Sequence, residues 1–158
     1  MLALDQVIIE PAMLDDIADI QALERHCFRQ AWRREQYEQD VLDRRRGLVL
    51  VARADGRLVG WGSLQIVLDQ AHLETIGVHQ GWRRQGLGSR LLDSLLEHAR
   101  ARQVREVFLE VRAANVDAQR LYARRGFHTV GRRRAYYEDP PDDGLVMALV
   151  LDPGPPAT

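Results

Sequence analysis

The stretch GWRRQGLGSRLLDSLL, residues 81–96, decides the fold of this chain. It joins two arginines and two closely spaced glycines to a leucine-rich segment that reads as a helix. The first N–H groups of a helix lack intrahelical partners, and the helix dipole makes that end positive. Gly86 and Gly88 let an anion approach these amides, which predicts a phosphate site at the start of a helix. The alternative is that the glycines only ease a turn from strand to helix.

The stretch differs from two well-known phosphate-binding motifs. A Walker A loop ends in Gly-Lys-Ser or Gly-Lys-Thr, which GWRRQGLGS does not contain. A dinucleotide-binding fingerprint needs a third glycine and an early position in a βαβ unit, and both are missing. Arg83 and Arg84 precede the glycines, and their charge favours a pyrophosphate as the ligand.

Composition limits the class of protein. The chain has 158 residues, of which 46% are hydrophobic and 28% are charged, as expected of one soluble globular domain. A net charge of -1 gives no overall attraction to nucleic acid or anionic lipid. A single cysteine, Cys27, excludes an internal disulfide and suits a reducing compartment. The sequence shows neither a signal-peptide pattern nor an apolar run of membrane-spanning length, which predicts a cytoplasmic protein.

The periodicity of apolar residues predicts alternating strands and helices. A short strand over residues 7–10 precedes two helices, an apolar-striped one that includes Leu14 and a more polar one over residues 34–42. Two β-rich runs flank Ala54-Asp55-Gly56, which is a strong hairpin signal. The remaining predicted elements are a strand over residues 72–78, the helix of the opening stretch, a strand over residues 104–112, a helix over residues 115–125 and two final strands.

The order of these elements predicts the fold class. It reads β, α, α, β, β, β, α, β, α, β, β, and its strand–helix–strand passage implies a right-handed crossover between two parallel strands. The hairpins imply antiparallel pairs, so we expect an α/β (α+β) fold with a mixed sheet and helices on its faces. Residues 1–151 are predicted to form one domain. Residues 152–158, rich in proline and small residues, are predicted to be a disordered tail.

Three segments of the chain resemble one enzyme family. RRQGLG, residues 83–88, is similar to the Q/R-x-x-G-x-G/A signature of the GNAT superfamily of N-acetyltransferases. Together with LEVRAANVDAQRLYARRGF and RRRAYYEDPPDDGLVMAL it resembles the ribosomal-protein alanine N-acetyltransferase (RimI-type) family, up to about Leu149. The resemblance implies the GNAT fold. That fold has a mostly antiparallel sheet of about seven strands, four helices, and a central parallel pair splayed at an acetyl-CoA site.

The resemblance also implies acetyl-CoA as the acetyl donor. The amides of residues 84–89 would bind its pyrophosphate, and the exposed backbone of residues 76–78 would pair with the pantetheine arm like an extra strand. An asparagine at the start of the next helix would add a further contact. The residues assigned to the cofactor are Ile76, Gly77, Val78, Arg83, Arg84, Gln85, Gly86, Leu87, Gly88, Ser89 and Asn115.

Two residues are candidates for the proton transfers that acetylation of an amine requires. Glu110 lies in the apolar segment VFLEVR, where burial would raise its pKa, and pairing with Arg112 or another arginine is the alternative. Tyr122 either packs in the core with Leu121 and Phe127 or donates a proton. The resemblance favours Glu110 as the general base and Tyr122 as the general acid that protonates the CoA thiolate.

The strand before the glycine-rich turn supplies two further candidates. Alternation predicts that Glu74 shares a face with His72, Ile76 and Val78. Glu74 either relays the proton of the amine through water or is only a surface charge. The amide of Val78 is a candidate donor to the oxygen that gains negative charge during the reaction.

Three aromatic residues are candidates for the substrate groove. Tyr136 and Tyr137 are consecutive in a predicted strand, so their side chains are expected on opposite faces and cannot both lie in the core. The resemblance implies that they cover a peptide groove, and an aromatic pair without a ligand is the alternative. Trp32 lies in the loop before the second helix. Ala31 stands where the family carries proline, which leaves the choice of substrate open.

The function that the resemblance implies is acetylation of a protein N-terminus, that of ribosomal protein S18 with its N-terminal alanine. Neither nucleic acid nor membrane is an expected partner. Two alternatives remain open: a GNAT enzyme acting on a small-molecule amine or a protein lysine, and an acyl-CoA-binding module without catalysis. No metal is expected, because metal-ligand spacing is missing among the histidines, which are His26, His72, His79, His98 and His128.

Overall fold

The strands and helices of the described residues follow one another in the predicted order. The computed structural model describes residues 4–28 and 31–152, and the predicted tail lies outside them except for Asp152. The strands are β1 (Ile8–Pro11), β2 (Gly47–Ala54), β3 (Arg57–Val67), β4 (Gln70–Val78), β5 (Glu106–Arg112), β6 (His128–Glu138) and β7 (Pro141–Val150). The helices are α1 (Ile17–Cys27), α2 (Arg34–Leu42), α3 (Leu87–Ala101) and α4 (Val116–Arg124).

The strands form one mixed sheet in the order β1-β2-β3-β4-β5-β7-β6. The pairing of β4 with β5 is parallel, and the other neighbouring pairs are antiparallel. The parallel register joins residues 70–72 to residues 106–108, and no register continues beyond His72. The predicted mixed sheet and the splayed central pair are therefore confirmed.

Helix α3 presents its leucine stripe to one face of this sheet, as its period of three and four residues predicts. The buried residues of α3 are Leu87, Leu91, Leu92, Leu95, Leu96 and Ala99. The middle of the stripe packs with Leu64 of β3, Leu73 of β4 and Leu109 of β5. Each fully buried leucine contributes about 1.5–3 kcal/mol, so this contact sets the position of the helix and of the glycine-rich turn before it.

Helices α1 and α2 cover the other face. Ile17 and Ile20 of α1 and Tyr37 of α2 are buried in one cluster with Trp61 of β3. Leu14, expected in the apolar stripe of α1, lies in a 3-10 turn before the helix and stays exposed. The α-helical stripe begins only at Ile17, so that expectation for Leu14 is wrong.

A β-bulge interrupts β4 at Glu74. Ser63 of β3 is paired with Thr75, and the next residue, Leu64, is paired with Leu73. Glu74 is therefore the extra residue of β4, with no residue of β3 opposite it. An inserted residue of this kind reverses the inward and outward alternation of every residue beyond it.

The bulge corrects the predicted face of Glu74. Leu73 lies in the core cluster under α3, and Ile76, three residues later, packs against the same cluster. Val78 also packs on the α3 side, with the cluster around Leu87. Glu74 instead contacts His72, its neighbour before the bulge. The prediction that Glu74 shares a face with Ile76 and Val78 is wrong, because the alternation on which it rests does not continue through the bulge.

Strand β6 contains a second irregularity, which corrects the expectation for the two tyrosines. The register of β6 with β7 shifts between Arg133 and Tyr137, and Ala135 has a φ of 51°. The rings of Tyr136 and Tyr137 meet edge to face with centroids 5.0 Å apart. Side chains on opposite faces of a regular strand do not meet in this way. The expectation of opposite faces is wrong, because the strand is not regular at this point.

Gly77 is a glycine because Trp61 occupies the space beside it. A Cβ atom at Gly77 would lie 2.2 Å from the buried indole ring of Trp61. We expect Gly77→Ala to lower the free energy of unfolding by about 1–3 kcal/mol, the usual cost of overpacking a core. Gly131→Ala is the matched control, because its Cβ would lie 3.8 Å from Val146. Urea unfolding measures both, and equal losses in the two variants would contradict the clash with Trp61.

Candidate active site

The diverging strands leave one backbone edge of β4 facing a gap. The N–H of His79 donates to the carbonyl of Val59 at 2.8 Å, toward β3. Backbone groups alternate sides along an antiparallel strand, so those of Val78 and Ile76 point away from β3 and into the gap. Those of Gly77 point toward β3. The free edge can pair with an extended ligand through Ile76 and Val78, whereas Gly77, predicted to bind the cofactor, has its packing role beside the indole.

The side chain of Arg83 lies at the end of this edge. Its Nε donates to the carbonyl of Val78 at 3.1 Å, and its Nη2 lies 3.6 Å from Sγ of Cys27. This guanidinium was expected to add charge for a pyrophosphate at the glycine-rich turn. The guanidinium instead binds the carbonyl of Val78 in β4. The N–H of Val78 still points into the gap.

The glycine-rich turn leaves the start of α3 uncapped. Gly86 is the N-cap residue with a φ of 90°, in the left-handed region, and no side chain caps the helix there. The N–H groups of Leu87, Gly88 and Ser89 begin the helix and have no intrahelical acceptor. The side chain of Gln85 closes the turn by donating to the carbonyl of Gly81 at 3.1 Å. Bare amides at an uncapped helix start fit a phosphate group.

Two further residues predicted to bind the cofactor have roles in their loops. Arg84 is exposed and has a left-handed φ of 62°, which turns the chain into the glycine pair. Asn115 is the N-cap of α4, and its Oδ1 accepts the N–H of Ala118 at 3.1 Å. The cap therefore uses one of the two lone pairs of Oδ1.

The structure brings His72 between two carboxylates at the gap. Nδ1 of His72 lies 3.1 Å from Oε1 of Glu74, and Nε2 is hydrogen-bonded to Oε2 of Glu110. The side chains of Glu74 and Glu110 are only 13% and 15% exposed. The hydrogen bond to Glu74, joined by that to Glu110 and opposed by burial, raises the pKa of His72 to about 9. This contact of His72 was not predicted from the sequence, although its position two residues before Glu74 was a usable signal.

Arg112, the arginine expected to pair with Glu110, has other partners. Arg112 donates to the carbonyls of residues 139 and 140 at 3.0 and 2.7 Å, and its guanidinium lies 4.2 Å from the ring centre of Tyr137. Arg133 is closer to Glu110, with Nε 3.8 Å from Oε1. Arg112 is therefore not the partner of Glu110, whereas the other half of that alternative, pairing with another arginine, is met by Arg133. The hydrogen-bonded partner of Glu110 is His72.

Tyr122 packs at the border of the core, and its role as a proton donor stays a prediction. Its ring packs edge to face on Phe127 with centroids 5.8 Å apart, at the border of the core. Burial, with a smaller effect of nearby Tyr137, raises the pKa of Tyr122 to about 12. The phenol therefore stays protonated at neutral pH and can donate a hydrogen bond.

A model of the acetyltransferase (GNAT) family matches residues 17–127 of the chain. The chain belongs to this family. GNAT acetyltransferases use acetyl-CoA, and the free edge of β4 and the uncapped start of α3 suit such a ligand. The motif RRQGLG, residues 83–88, lies within the matched residues, so the family predicted from it is confirmed.

The comparisons also give relatives of this GNAT acetyltransferase. A Bacillus subtilis protein, whose name assigns it as a [ribosomal protein bS18]-alanine N-acetyltransferase, is 32% identical over 139 residues. The match covers 88% of this chain and 92% of that protein. The crystal structure of the Escherichia coli ribosomal-protein-S18-alanine N-acetyltransferase superposes with a TM-score of 0.83 at 31% identity, covering 91% of this chain and 93% of that chain. Arabidopsis thaliana NAA60 in complex with acetyl-CoA, at 22% identity and a TM-score of 0.82 over 92% and 98% of the two chains, shows the same fold.

Trp32 is held by a buried carboxylate, that of Glu24, which no sequence pattern indicated. Glu24 of α1 is 1% exposed; its Oε1 accepts the N–H of Trp32 at 3.2 Å and its Oε2 accepts the hydroxyl of Tyr37 at 2.5 Å. Burial raises the pKa of Glu24, opposed by these hydrogen bonds. Trp32 is thus anchored without the proline that the family carries at the position of Ala31.

Asp40 of α2 interacts electrostatically with Glu74. Asp40 is 6% exposed, and burial, with a smaller effect of Glu74, raises the pKa of Asp40 to about 6. The folded state therefore holds this proton more tightly than the unfolded state, in which the pKa is about 3.9. Its stabilising effect is complete below that value and is lost as the pH rises through about 6.

We expect Asp40→Asn to remove this part of the pH dependence of stability. Relative to wild type, the unfolding free energy of the variant should rise by about 2–3 kcal/mol between pH 4 and pH 7.5, about 1.4 kcal/mol per pKa unit. Urea unfolding at several pH values measures the difference. Asp69→Asn, at an exposed turn, is the matched control and should follow the wild type. A constant offset between Asp40→Asn and wild type would contradict the prediction.

The described residues contain neither a membrane-spanning helix nor a cluster of metal ligands. No helix within residues 4–28 and 31–152 is long and apolar enough to span a bilayer. In the same part of the chain, no group of three or more histidine, cysteine, aspartate or glutamate residues has an arrangement that could hold a metal ion.

Proposed function

We propose that this chain transfers the acetyl group of acetyl-CoA to the N-terminal α-amino group of a protein, namely the N-terminal alanine of ribosomal protein bS18. The observation that carries the proposal is the pair of carboxylates, Glu74 and Glu110, joined by His72 beside the gap. The names of the Bacillus subtilis and Escherichia coli relatives support the choice of acceptor. A ribosomal acceptor agrees with the cytoplasmic location expected from the sequence.

The free edge of β4 and the start of α3 would hold the donor, which supplies the acetyl group as a thioester. The backbone groups of Ile76 and Val78 that point into the gap would pair with the pantetheine arm. The amides of Leu87, Gly88 and Ser89 would bind the pyrophosphate at the positive end of the helix dipole. The solved complex of NAA60 with acetyl-CoA, which has the same fold, supports this arrangement.

Glu110 would act as the general base. A protein α-amino group has a pKa of about 7.7–8.0, so it arrives largely protonated at neutral pH and must lose a proton to attack. Glu110 lies at the gap with its carboxylate hydrogen-bonded on one side, and it would accept that proton directly or through water. Glu74 would add a second negative charge that attracts the incoming ammonium group.

Val78 and Tyr122 would assist at the two atoms of the thioester that gain charge. The N–H of Val78 points into the gap and would donate to the acetyl oxygen. The Tyr122 hydroxyl is neutral at physiological pH, because burial keeps its pKa at about 12, and it would protonate the departing thiolate. The two groups are thus proposed as donors with separate targets.

Aromatic side chains would line the groove for the acceptor peptide. Tyr137 is held by the guanidinium of Arg112, and Tyr136 contacts Tyr137 while remaining 47% exposed. Trp32 is anchored to Glu24 on the α1 side. Rigid aromatic walls of this kind suit an extended peptide, and the exposed Tyr136 hydroxyl is available to its backbone.

The test is acetyl transfer from acetyl-CoA to three acceptors, read by mass spectrometry. The first is a peptide that begins with the bS18 N-terminus, the second is the same peptide with a blocked N-terminus and one lysine, and the third is a polyamine. We expect product only with the first. Faster turnover of either other acceptor would refute the N-terminal specificity. CoA binding without turnover of any amine would refute catalysis. The chain contains no lysine, so acetylation of its own side-chain amines gives no background.

A further inference from the structure

His72 connects the two carboxylates of the site and is assigned no role by the proposed function. We propose that His72 is a positioning residue, an imidazolium that donates a hydrogen bond to Glu74 and another to Glu110 and so aims Glu110 at the amine of the substrate. The inference rests on the proposed function for its chemistry. Its geometric part, a cation bridging two carboxylates, stands without a substrate.

The hydrogen bonds themselves indicate the charged form of the ring. Nδ1 of His72 lies 3.1 Å from Oε1 of Glu74, while Nε2 is hydrogen-bonded to Oε2 of Glu110. An ionised carboxylate only accepts hydrogen bonds, and a neutral imidazole donates from one nitrogen alone. Only the imidazolium donates to both carboxylates at once. Its positive charge also offsets the mutual repulsion of the two carboxylate groups.

Groups on three other elements surround this bridge. Asp40 of α2 is a third carboxyl group in this region and interacts electrostatically with Glu74. Arg133 of β6 is the nearby cation, with Nε 3.8 Å from Oε1 of Glu110. On β3, the residue paired with the histidine is the uncharged Gln65. Among the described residues named here, the acidic groups near the ring thus outnumber the basic ones, and they favour the imidazolium.

His72 titrates above the pH at which an α-amino substrate becomes neutral. The hydrogen bond to Glu74, with a further contribution from Glu110 and against the effect of burial, raises the pKa of His72 to about 9. An α-amino substrate becomes neutral near pH 8. The bridge therefore persists while the amine loses its charge, and it is lost at higher pH. Activity should rise toward pH 8 with the amine and fall again above about pH 9 with His72.

The first experiment compares His72→Gln with wild type from pH 6 to 10.5. Glutamine is polar and similar in length to histidine, but it is uncharged and cannot donate to both carboxylates in the same way. Glu110 therefore loses its fixed orientation. We expect kcat to fall about 10- to 100-fold, the scale of a misplaced catalytic group, with the KM for acetyl-CoA within twofold. The alkaline decline should disappear from the variant. His128→Gln, on the exposed edge strand β6, is the matched control and should keep the wild-type profile.

The second experiment reads the bridge without turnover. NMR titration of the histidine ring signals should give a pKa near 9 for His72 in wild type and a clearly lower value in Glu74→Gln. A value at or below 6.5 in wild type would overturn the inference, as would a His72→Gln variant that is folded and keeps both kcat and the alkaline decline. A bridge that titrates near 9 in a protein inactive on the bS18 peptide would support the bridge and refute only the proposed acceptor.

Discussion

Glu110→Gln is expected to lower kcat for acetylation of an alanine-starting peptide by about 10²- to 10⁴-fold, the range that general-base catalysis contributes. The glutamine amide has the size and hydrogen-bonding geometry of the carboxylate but cannot accept a proton at neutral pH. Glu110 lies beside the gap, where its Oε2 is hydrogen-bonded to His72 and its Oε1 has only the longer contact of 3.8 Å with Nε of Arg133, which the amine would have to displace or share. Steady-state kinetics with both substrates varied measures the loss, which should fall on kcat and leave the affinity for acetyl-CoA unchanged.

Glu106→Gln is the matched control for this prediction. Glu106 lies on the same strand and the same face, four residues from Glu110, beside Gln70 at the paired end of β4 and β5. It lies outside the splayed part of the sheet, so its substitution should change kcat by less than twofold. Equal activity of Glu110→Gln and Glu106→Gln would remove Glu110 from the mechanism and leave Glu74 or a water chain as the base.

Tyr122→Phe is expected to lower kcat by about 10²-fold or more, because the departing thiolate loses its proton donor. The substitution removes only the hydroxyl, and the remaining ring keeps its edge-to-face packing on Phe127. Thermal unfolding should therefore change little, and calorimetric titration with CoA should give an unchanged Kd. The defect should shrink above about pH 8.5, the ordinary pKa of a thiol, because a thiolate then leaves without needing a proton.

Two results would contradict an acid role for Tyr122. One is a kcat within threefold of wild type, which would mean that water protonates the thiolate and that Tyr122 serves only in packing. The other is a large fall in melting temperature together with kcat, which would make the loss of activity structural. Glu110→Gln provides the comparison, because its defect is not expected to follow the pKa of a thiol.

The element order and the glycine-rich turn could be predicted from local sequence signals. The leucine stripe of α3, the Asp55-Gly56 hairpin and the parallel crossover all appear where their periodicity and turn chemistry predict. The resemblance carried by RRQGLG predicted the GNAT family, which the family match confirms. The roles of Glu110 and Tyr122 stay predictions, now with a geometry in which each can be tested.

Local signals were insufficient wherever a side chain's neighbours come from another strand. Alternation predicted a common face for Glu74 and Val78, but the bulge at Glu74 separates them. The spacing of Leu73 and Ile76, three residues apart and both apolar, is consistent with this bulge. The same limit explains the misjudged faces of Tyr136 and Tyr137, since the irregular register around Ala135 depends on pairing with β7.

The sequence by itself determined the order of strands and helices, the bare amides at the start of α3 and the family, because each depends on residues close together in the chain. Tertiary structure alone decided that His72 joins Glu74 to Glu110, which lies 38 residues away. It also decided that the backbone groups of Val78 face the gap. Both outcomes depend on strand register, and one extra residue in a strand reverses which side chains meet.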